Sequence, residues 1–271
     1  MKQHTVAESF AIHGIGIHSG KANTCRVHPA PVGTGLVFEV AGQAVPVRPD
    51  ALAHTARATL LEKAGARVQT PEHFLAACYG LCIANLRVEL DHPEVPVVDG
   101  SANAFVEAFV KAGLKNQETP WPEQVITTPG FIEDGDKKIL FIPSSEPRFT
   151  YVLSYPDTFI GTQVASVLDS PESFIQDIAP ARTYGFYHEV AHLLEKGLAQ
   201  GGSLDNAVII KDDGYLNPLR FPDELARHKV LDMIGDFAIL GRRIRGHVVG
   251  IGSGHALNAK GVLFLNSIHV K

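Results

Sequence analysis

Asn116-Gln117-Glu118-Thr119-Pro120-Trp121-Pro122-Glu123-Gln124 decides how the chain divides. Each of the two prolines removes a backbone donor and biases the residue before it away from helix, so the stretch reads as a linker. Before it, residues 1–50 alternate apolar and polar positions in short runs such as 24–27 and 36–40, broken by Gly and Pro. That is strand-and-turn writing. Residues 71–84 and 101–112 then read as helices with a strand at 85–90 between them. After the linker the pattern restarts: strands near 125–132, 137–142, 148–154 and 162–168, helices near 184–197 and 222–241, and a strand at 245–251. Two strand-then-helix halves predict an α+β fold of two similar domains, 1–115 and 125–271, each a small sheet packed with helices. No repeat links the halves at the level of sequence. The functional site is expected at their interface.

Composition excludes several classes. Of 271 residues, 45% are apolar and 20% charged, as in ordinary globular chains. The 24 basic and 29 acidic residues give a net charge of −5, and no Lys/Arg run appears, so neither nucleic acid nor an anionic membrane surface is the expected partner. Three cysteines, Cys25, Cys78 and Cys82, do not make a disulfide framework. No signal-peptide core and no run of roughly 18 apolar residues occurs. A cytoplasmic protein without stable membrane insertion is expected, and nothing demands more than a monomer. Thirteen histidines point to metal or proton chemistry.

Five segments are candidates for that chemistry. Gly14-Ile-Gly-Ile-His-Ser-Gly20-Lys21 fails as a phosphate loop, because Ile stands at position 15 and Ala22 replaces the Mg²⁺-binding hydroxyl; it reads as a glycine-rich turn between strands. His188-Glu189-Val-Ala-His192 matches the metalloprotease helix, but no third ligand follows at that family's spacing, and the segment reads as a solvated helix face. In Thr70-Pro71-Glu72-His73, Thr70 is a candidate N-cap and Pro71 suits the first helical position, which puts Glu72 and His73 in the first turn. Cys78 and Cys82 fall on the other side of that helix, as core residues. His228, Asp232 and Asp236 recur at i, i+4 and i+8 and share one helix face, either as a surface ion-pair row or as metal ligands. Gly252-Ser-Gly-His255-Ala-Leu-Asn258 places a His on a glycine-rich strand exit, where backbone can approach a ligand closely.

Together these segments resemble the zinc-dependent UDP-3-O-acyl-N-acetylglucosamine deacetylases of lipid A synthesis. Val97-Val-Asp99-Gly100-Ser101, Ala181-Arg-Thr183-Tyr184 and Gly201-Gly-Ser-Leu-Asp-Asn206 extend the match in the family's order. The resemblance implies hydrolysis of the acetamide of a UDP-linked, 3-O-acylated glucosamine. It implies a zinc ion on His73, His228 and Asp232 with one position open to water, and Fe²⁺ suits the same set. Glu72 would be the general base. The Thr183 hydroxyl would meet the oxyanion, and His255 would protonate the leaving amine with Asp236 orienting it. Lys229, read as pointing elsewhere on its helix, would help bind substrate and steady charge.

The same resemblance turns the stretch near 184–206 into an inserted strand-helix-strand unit that forms a tunnel for the acyl chain. Tyr184, Ser203 and Leu204 would line or flank it, and Val190, Ala191, Leu193 and Leu194 would supply its apolar face. Tyr184 stands where the family often has Phe. Gly261-Val-Leu-Phe-Leu-Asn-Ser-Ile reads as a strand where the family continues as a charged helix. Two rival readings are a zinc peptidase on His188, Glu189 and His192, and a non-catalytic nucleotide-sugar or lipid-binding module.

Overall fold

Alternating burial along Leu36–Val40, and along Ala22–Pro29 before its last residue, explains why these segments become strands, since each buries one side while the other faces water. The computed structural model describes residues 1–53 and 58–268. Its α-helices among the described residues are α1 (Glu72–Gly80), α2 (Asn103–Ala112), the single turn α3 (Pro171–Ser173), α4 (Tyr187–Glu195), α5 (Glu224–Phe237) and α6 (His255–Ser267). None is long and apolar enough to cross a membrane.

The two halves repeat one sheet. In the first, the strand order is Phe10–Ile15, Ala22–Pro29, Leu86–Leu90, Leu36–Val40, Gln43–Pro46. In the second it is Gly130–Asp134, Lys137–Ile142, His247–Ile251, Arg148–Tyr155, Gly161–Leu168. Each half writes two hairpins, then a helix, then a central strand that slots between the hairpins, antiparallel to one and parallel to the other. The duplication is invisible in the sequence because it rests on order and direction rather than on residue identity.

Aromatic contacts seat the helices on their sheets. Phe74 of α1 meets Phe38 and Phe105, and Phe141 of the second sheet meets Phe237 of α5 and Phe264 of α6. All nine residues of α1 and twelve of the fourteen in α5 are buried, as expected of helices packed on more than one side. The two cross closely at Gly235, where an added Cβ would lie 2.0 Å from the Glu72 carbonyl oxygen.

The stretch containing Pro120 and Pro122 is partly strand. Leu114–Pro120 pairs antiparallel with Lys2–Val6, Trp121 is buried with its indole donating to the Gly241 carbonyl, and Glu123–Val125 runs parallel to Arg243–Arg245. The strand expected over 125–132 is interrupted before Gly130, where Pro129 removes a donor. Arg243 reaches from the second half to the first, 4.2 Å above the Tyr79 ring, and pairs with the largely covered carboxylate of Asp169.

Two local expectations are corrected. The segment beginning at Gly261 is helix, not strand: Leu257, Asn258, Gly261, Val262 and Leu265 are buried at three- and four-residue spacing, and Phe264 stacks on Phe141 at 5.3 Å. Packing on the second sheet overrides the strand-like run Val262-Leu-Phe264-Leu. Thr70 does not cap α1. Its backbone is left-handed (φ 55°), and its hydroxyl turns to Glu94, 3.5 Å away. Glu72 and His73 nevertheless open the helix, and Cys25, Cys78 and Cys82 are buried and unpaired as disulfides.

Candidate active site

His73 enters from the first turn of α1, and His228 and Asp232 from successive turns of α5. Among the described residues, these three form the one group of His, Cys, Asp or Glu whose donor atoms gather within 4.8 Å of one another, and all three are buried. Oδ1 of Asp232 lies 3.3 Å from Nε2 of His228 and 3.6 Å from Nε2 of His73. Nδ1 of His228 lies 3.1 Å from the Ala181 carbonyl. Donation to that oxygen places the proton on Nδ1 and leaves the Nε2 lone pair facing the cluster, the usual arrangement behind a metal-binding imidazole. Burial pushes His228 down to about 3, which keeps it neutral.

On one side of these donors stand Glu72 and His255. Nε2 of His255 is 3.7 Å from Oε1 of Glu72, and its Nδ1 is 2.9 Å from Oδ2 of Asp236. Burial alone would lower the His255 pKa, but the Asp236 and Glu72 carboxylates outweigh it and raise it to about 10. Burial also pushes the Glu72 carboxyl up, against the pull of His255 and His73. The arrangement therefore holds a basic carboxylate and a protonated imidazole side by side next to the three converging donors of His73, His228 and Asp232.

A family model described as UDP-3-O-acyl N-acetylglycosamine deacetylase matches residues 3–266. The chain belongs to this deacetylase family. Proteins named UDP-3-O-acyl-N-acetylglucosamine deacetylase resemble it over most of their length. That of Citrifermentans bemidjiense is 43% identical over 264 residues, covering 95% of this chain and 87% of the relative. That of Leptospira biflexa is 43% identical over 262 residues, covering 94% and 86%. The Chlamydia pneumoniae protein is 41% identical over 264 residues, covering 94% of each.

The other residues singled out from the deacetylase resemblance are distributed unevenly. Lys229 does not point elsewhere: its Nζ lies 2.7 Å from Oδ2 of Asp232, because i and i+3 are neighbours on a helix, and 5.2 Å over the Tyr184 ring. Tyr184 lies beside His228, with ring centroids 6.3 Å apart, and its hydroxyl is 3.4 Å from that of Tyr155. Thr183 is half-buried, held by its N–H to Gly100 and by its carbonyl to Val208. Ser203 and Leu204 sit in an exposed turn in which the Asn206 side chain accepts the Ser203 N–H. Tyr184–Phe186, α4 and Val208–Ile210 form a parallel strand-helix-strand unit outside both large sheets.

His188 and His192 are exposed on α4, and His192 faces Glu195 at 4.0 Å rather than the buried donors. Neither they nor Glu189 joins a metal-binding group among the described residues. Val190 and Leu193 of that helix are half-buried, while the side chains of Ala191 and Leu194 lie outside the described residues. The glycine-rich segment is indeed a turn between strands. Buried Glu94 accepts the N–H groups of His18 and Ser19, and the Ile17 carbonyl accepts that of Gly201.

Sequence reasoning missed Thr59 and gave Asn258 no role. The Thr59 hydroxyl donates to Oδ1 of Asp236, and Asn258 Nδ2 donates to Oδ2 at 2.8 Å. Asn258 stands three residues after His255 on α6, a spacing that could have marked it; Thr59 carries no such signal.

Proposed function

We infer that this chain hydrolyses the acetamide of UDP-3-O-acyl-N-acetylglucosamine, releasing acetate and the free amine, an early step of lipid A biosynthesis. The observation that carries the reading is the buried meeting of His73, His228 and Asp232 with Glu72 and His255, in a chain of this family. Two imidazoles and a carboxylate suit a divalent cation of intermediate softness, and three protein donors leave a position open for chemistry. We assign that cation as Zn²⁺, with Fe²⁺ as the alternative. When bound, it polarises the substrate carbonyl and lowers the pKa of water beside it.

The chain's own groups do the rest. Glu72, its basicity raised by burial, takes the proton of the attacking water. His255 holds a proton on Nε2 and delivers it to the departing nitrogen, while Asp236 holds Nδ1 and so aims the ring. The Thr183 hydroxyl donates to the carbonyl oxygen as it gains charge. Lys229, packed between Asp232 and Tyr184, adds a positive charge near that oxygen and contacts substrate. Tyr184, Ser203 and Leu204 flank the path of the acyl chain along the α4 unit.

The matched sheets support reading residues 1–115 and 125–271 as two domains joined by 116–124, with an insertion near 184–206. A monomer working in the cytoplasm on a small UDP-linked sugar, without nucleic acid or membrane insertion, completes the reading. Acetate release from UDP-3-O-acyl-N-acetylglucosamine tests it. Zinc-loaded protein is expected to turn over, and protein stripped by a chelator to stop until zinc is restored. Loaded protein that binds the nucleotide sugar yet releases no acetate would favour the non-catalytic module.

A further inference from the structure

One buried residue touches Glu72, Asp236 and His255 but lies on none of the helices that carry them. Thr59 stands in the first half, just before the strand Leu60–Lys63. Its backbone N–H donates to Oε2 of Glu72 at 3.3 Å. Its hydroxyl donates to Oδ1 of Asp236 and lies 3.4 Å from Nδ1 of His255. Its carbonyl accepts the N–H of Thr70, two residues before α1, so the position of Thr59 is set by the element that presents Glu72.

The two oxygens of Asp236 are thereby divided. Oδ2 takes His255 and Asn258 at 2.9 and 2.8 Å, and Oδ1 takes Thr59. A carboxylate bound through one oxygen alone retains rotation about its terminal torsion, which is broad for Asp. A donor on the second oxygen stops that rotation, and with it the swing of any ring hydrogen-bonded to the first.

We propose that Thr59 is a positioning residue for the reaction, bridging its base and its acid: the amide seats the Glu72 carboxylate, and the hydroxyl locks Asp236 and, through it, the His255 ring. Because Thr59 and Glu72 belong to the first half and Asp236 and His255 to the second, the same residue sets the distance between the two proton-transfer groups across the interface. The proposal rests on the deacetylase reading above.

Thr59→Ser keeps the hydroxyl, and Thr59→Val keeps the shape without it. Both are compared with wild type in zinc-loaded form for kcat, KM, zinc content and Tm. Misplacing an oriented group by a fraction of an ångström to an ångström costs about 10- to 100-fold in rate. Thr59→Val is therefore expected to lose kcat by that factor with KM and zinc content unchanged, and Thr59→Ser to recover most of it. At one fixed pH, the imidazole ¹⁵N NMR signals of His255, assigned through His255→Gln, are expected to shift or broaden in Thr59→Val and to match wild type in Thr59→Ser. A purely structural threonine would move Tm and leave both kcat and these signals alone.

Wild-type kcat in Thr59→Val, or an equal loss in Thr59→Ser, overturns the proposal. Should Thr59→Val not fold, Thr59→Ala, which adds no bulk, is read for the same split of kcat from KM. The wild-type arm separates the two claims: no acetate release there sinks the deacetylase reading itself, whereas normal release with an indifferent Thr59→Val sinks only the role of Thr59.

Discussion

Helices α4 and α5 carry nearly the same local pattern and have opposite fates. On α4, His188 and His192 stand four residues apart with Glu189 between them; on α5, His228 and Asp232 stand four apart with Lys229 between them. Both spacings set two donors one turn above each other. The α4 pair is exposed, with the His192 side chain 59% accessible, and no third donor joins it among the described residues. The α5 pair is buried, backed by the Ala181 carbonyl and completed by His73 from another helix. Helical spacing supplies two ligands at most. The third donor, the fixed tautomer and the burial come from what the helix packs against.

The strongest way to break the comparison is to delete a donor from α5. His228→Ala is expected to abolish stoichiometric zinc, read by elemental analysis, and to cut acetate release by more than the roughly 100-fold that losing a ligand's supporting partner costs. Retention of zinc by that variant would move the metal elsewhere and undo the assignment.

Next in size is packing. Gly235→Ala on α5 drives a Cβ against the Glu72 carbonyl, and overpacking of this kind costs about 1–3 kcal/mol. A Tm several degrees below wild type is expected. Gly185→Ala beside α4 meets nothing within 4 Å, and its stability is expected to stay within about 0.5 kcal/mol of wild type, with little change in Tm. Equal effects at the two glycines would mean that α1 and α5 are not held in close register.

A smaller effect depends on pH. In metal-free protein, burial lowers the His255 pKa, but Asp236 and Glu72, with Asp232 at 3.9 Å, raise it to about 10. The unfolded value is about 6.5. A raised folded pKa contributes stability that is fully present below the unfolded value and is lost as pH rises through the folded one. Thermal melts of metal-free Asp236→Asn should therefore fall furthest below wild type near pH 6, the gap narrowing as pH approaches 10. A gap independent of pH would show that Asp236 acts only through its neutral hydrogen bonds.

The smallest change is expected on α4. The double variant His188→Ala/His192→Ala should keep full zinc and a stability within about 0.5 kcal/mol of wild type, as for exposed positions generally. Loss of zinc there would revive the peptidase reading.

Much of the site was legible before folding. Glu72 and His73 were placed in the first turn of a helix by Pro71, and His228, Asp232 and Asp236 on one face by their period, because both signals are local. Lys229 departs from its expected direction: angular spacing gives the direction of the Cα–Cβ bond, whereas a long flexible side chain can still reach a carboxylate three residues on. The run from Gly261 is ambiguous by local pattern, because Val, Leu and Phe suit a strand as well as a buried helix, and only packing on the second sheet chooses the helix. Thr59 left no local trace, since its partners lie 13, 177 and 196 positions away.

By itself, then, the sequence determined the alternation of strands and helices, the net charge of −5, and the pairs of candidate donors one helical turn apart. All of these are set by bonds and contacts within a few residues. Tertiary structure decided which of two similar donor pairs becomes a buried, three-donor cluster, how the two sheets repeat one topology, and where Thr59 meets Asp236. The reason is that burial, the third donor and the contact of Thr59 with Asp236 each need groups from distant segments held by the packed interior, and no local spacing encodes them.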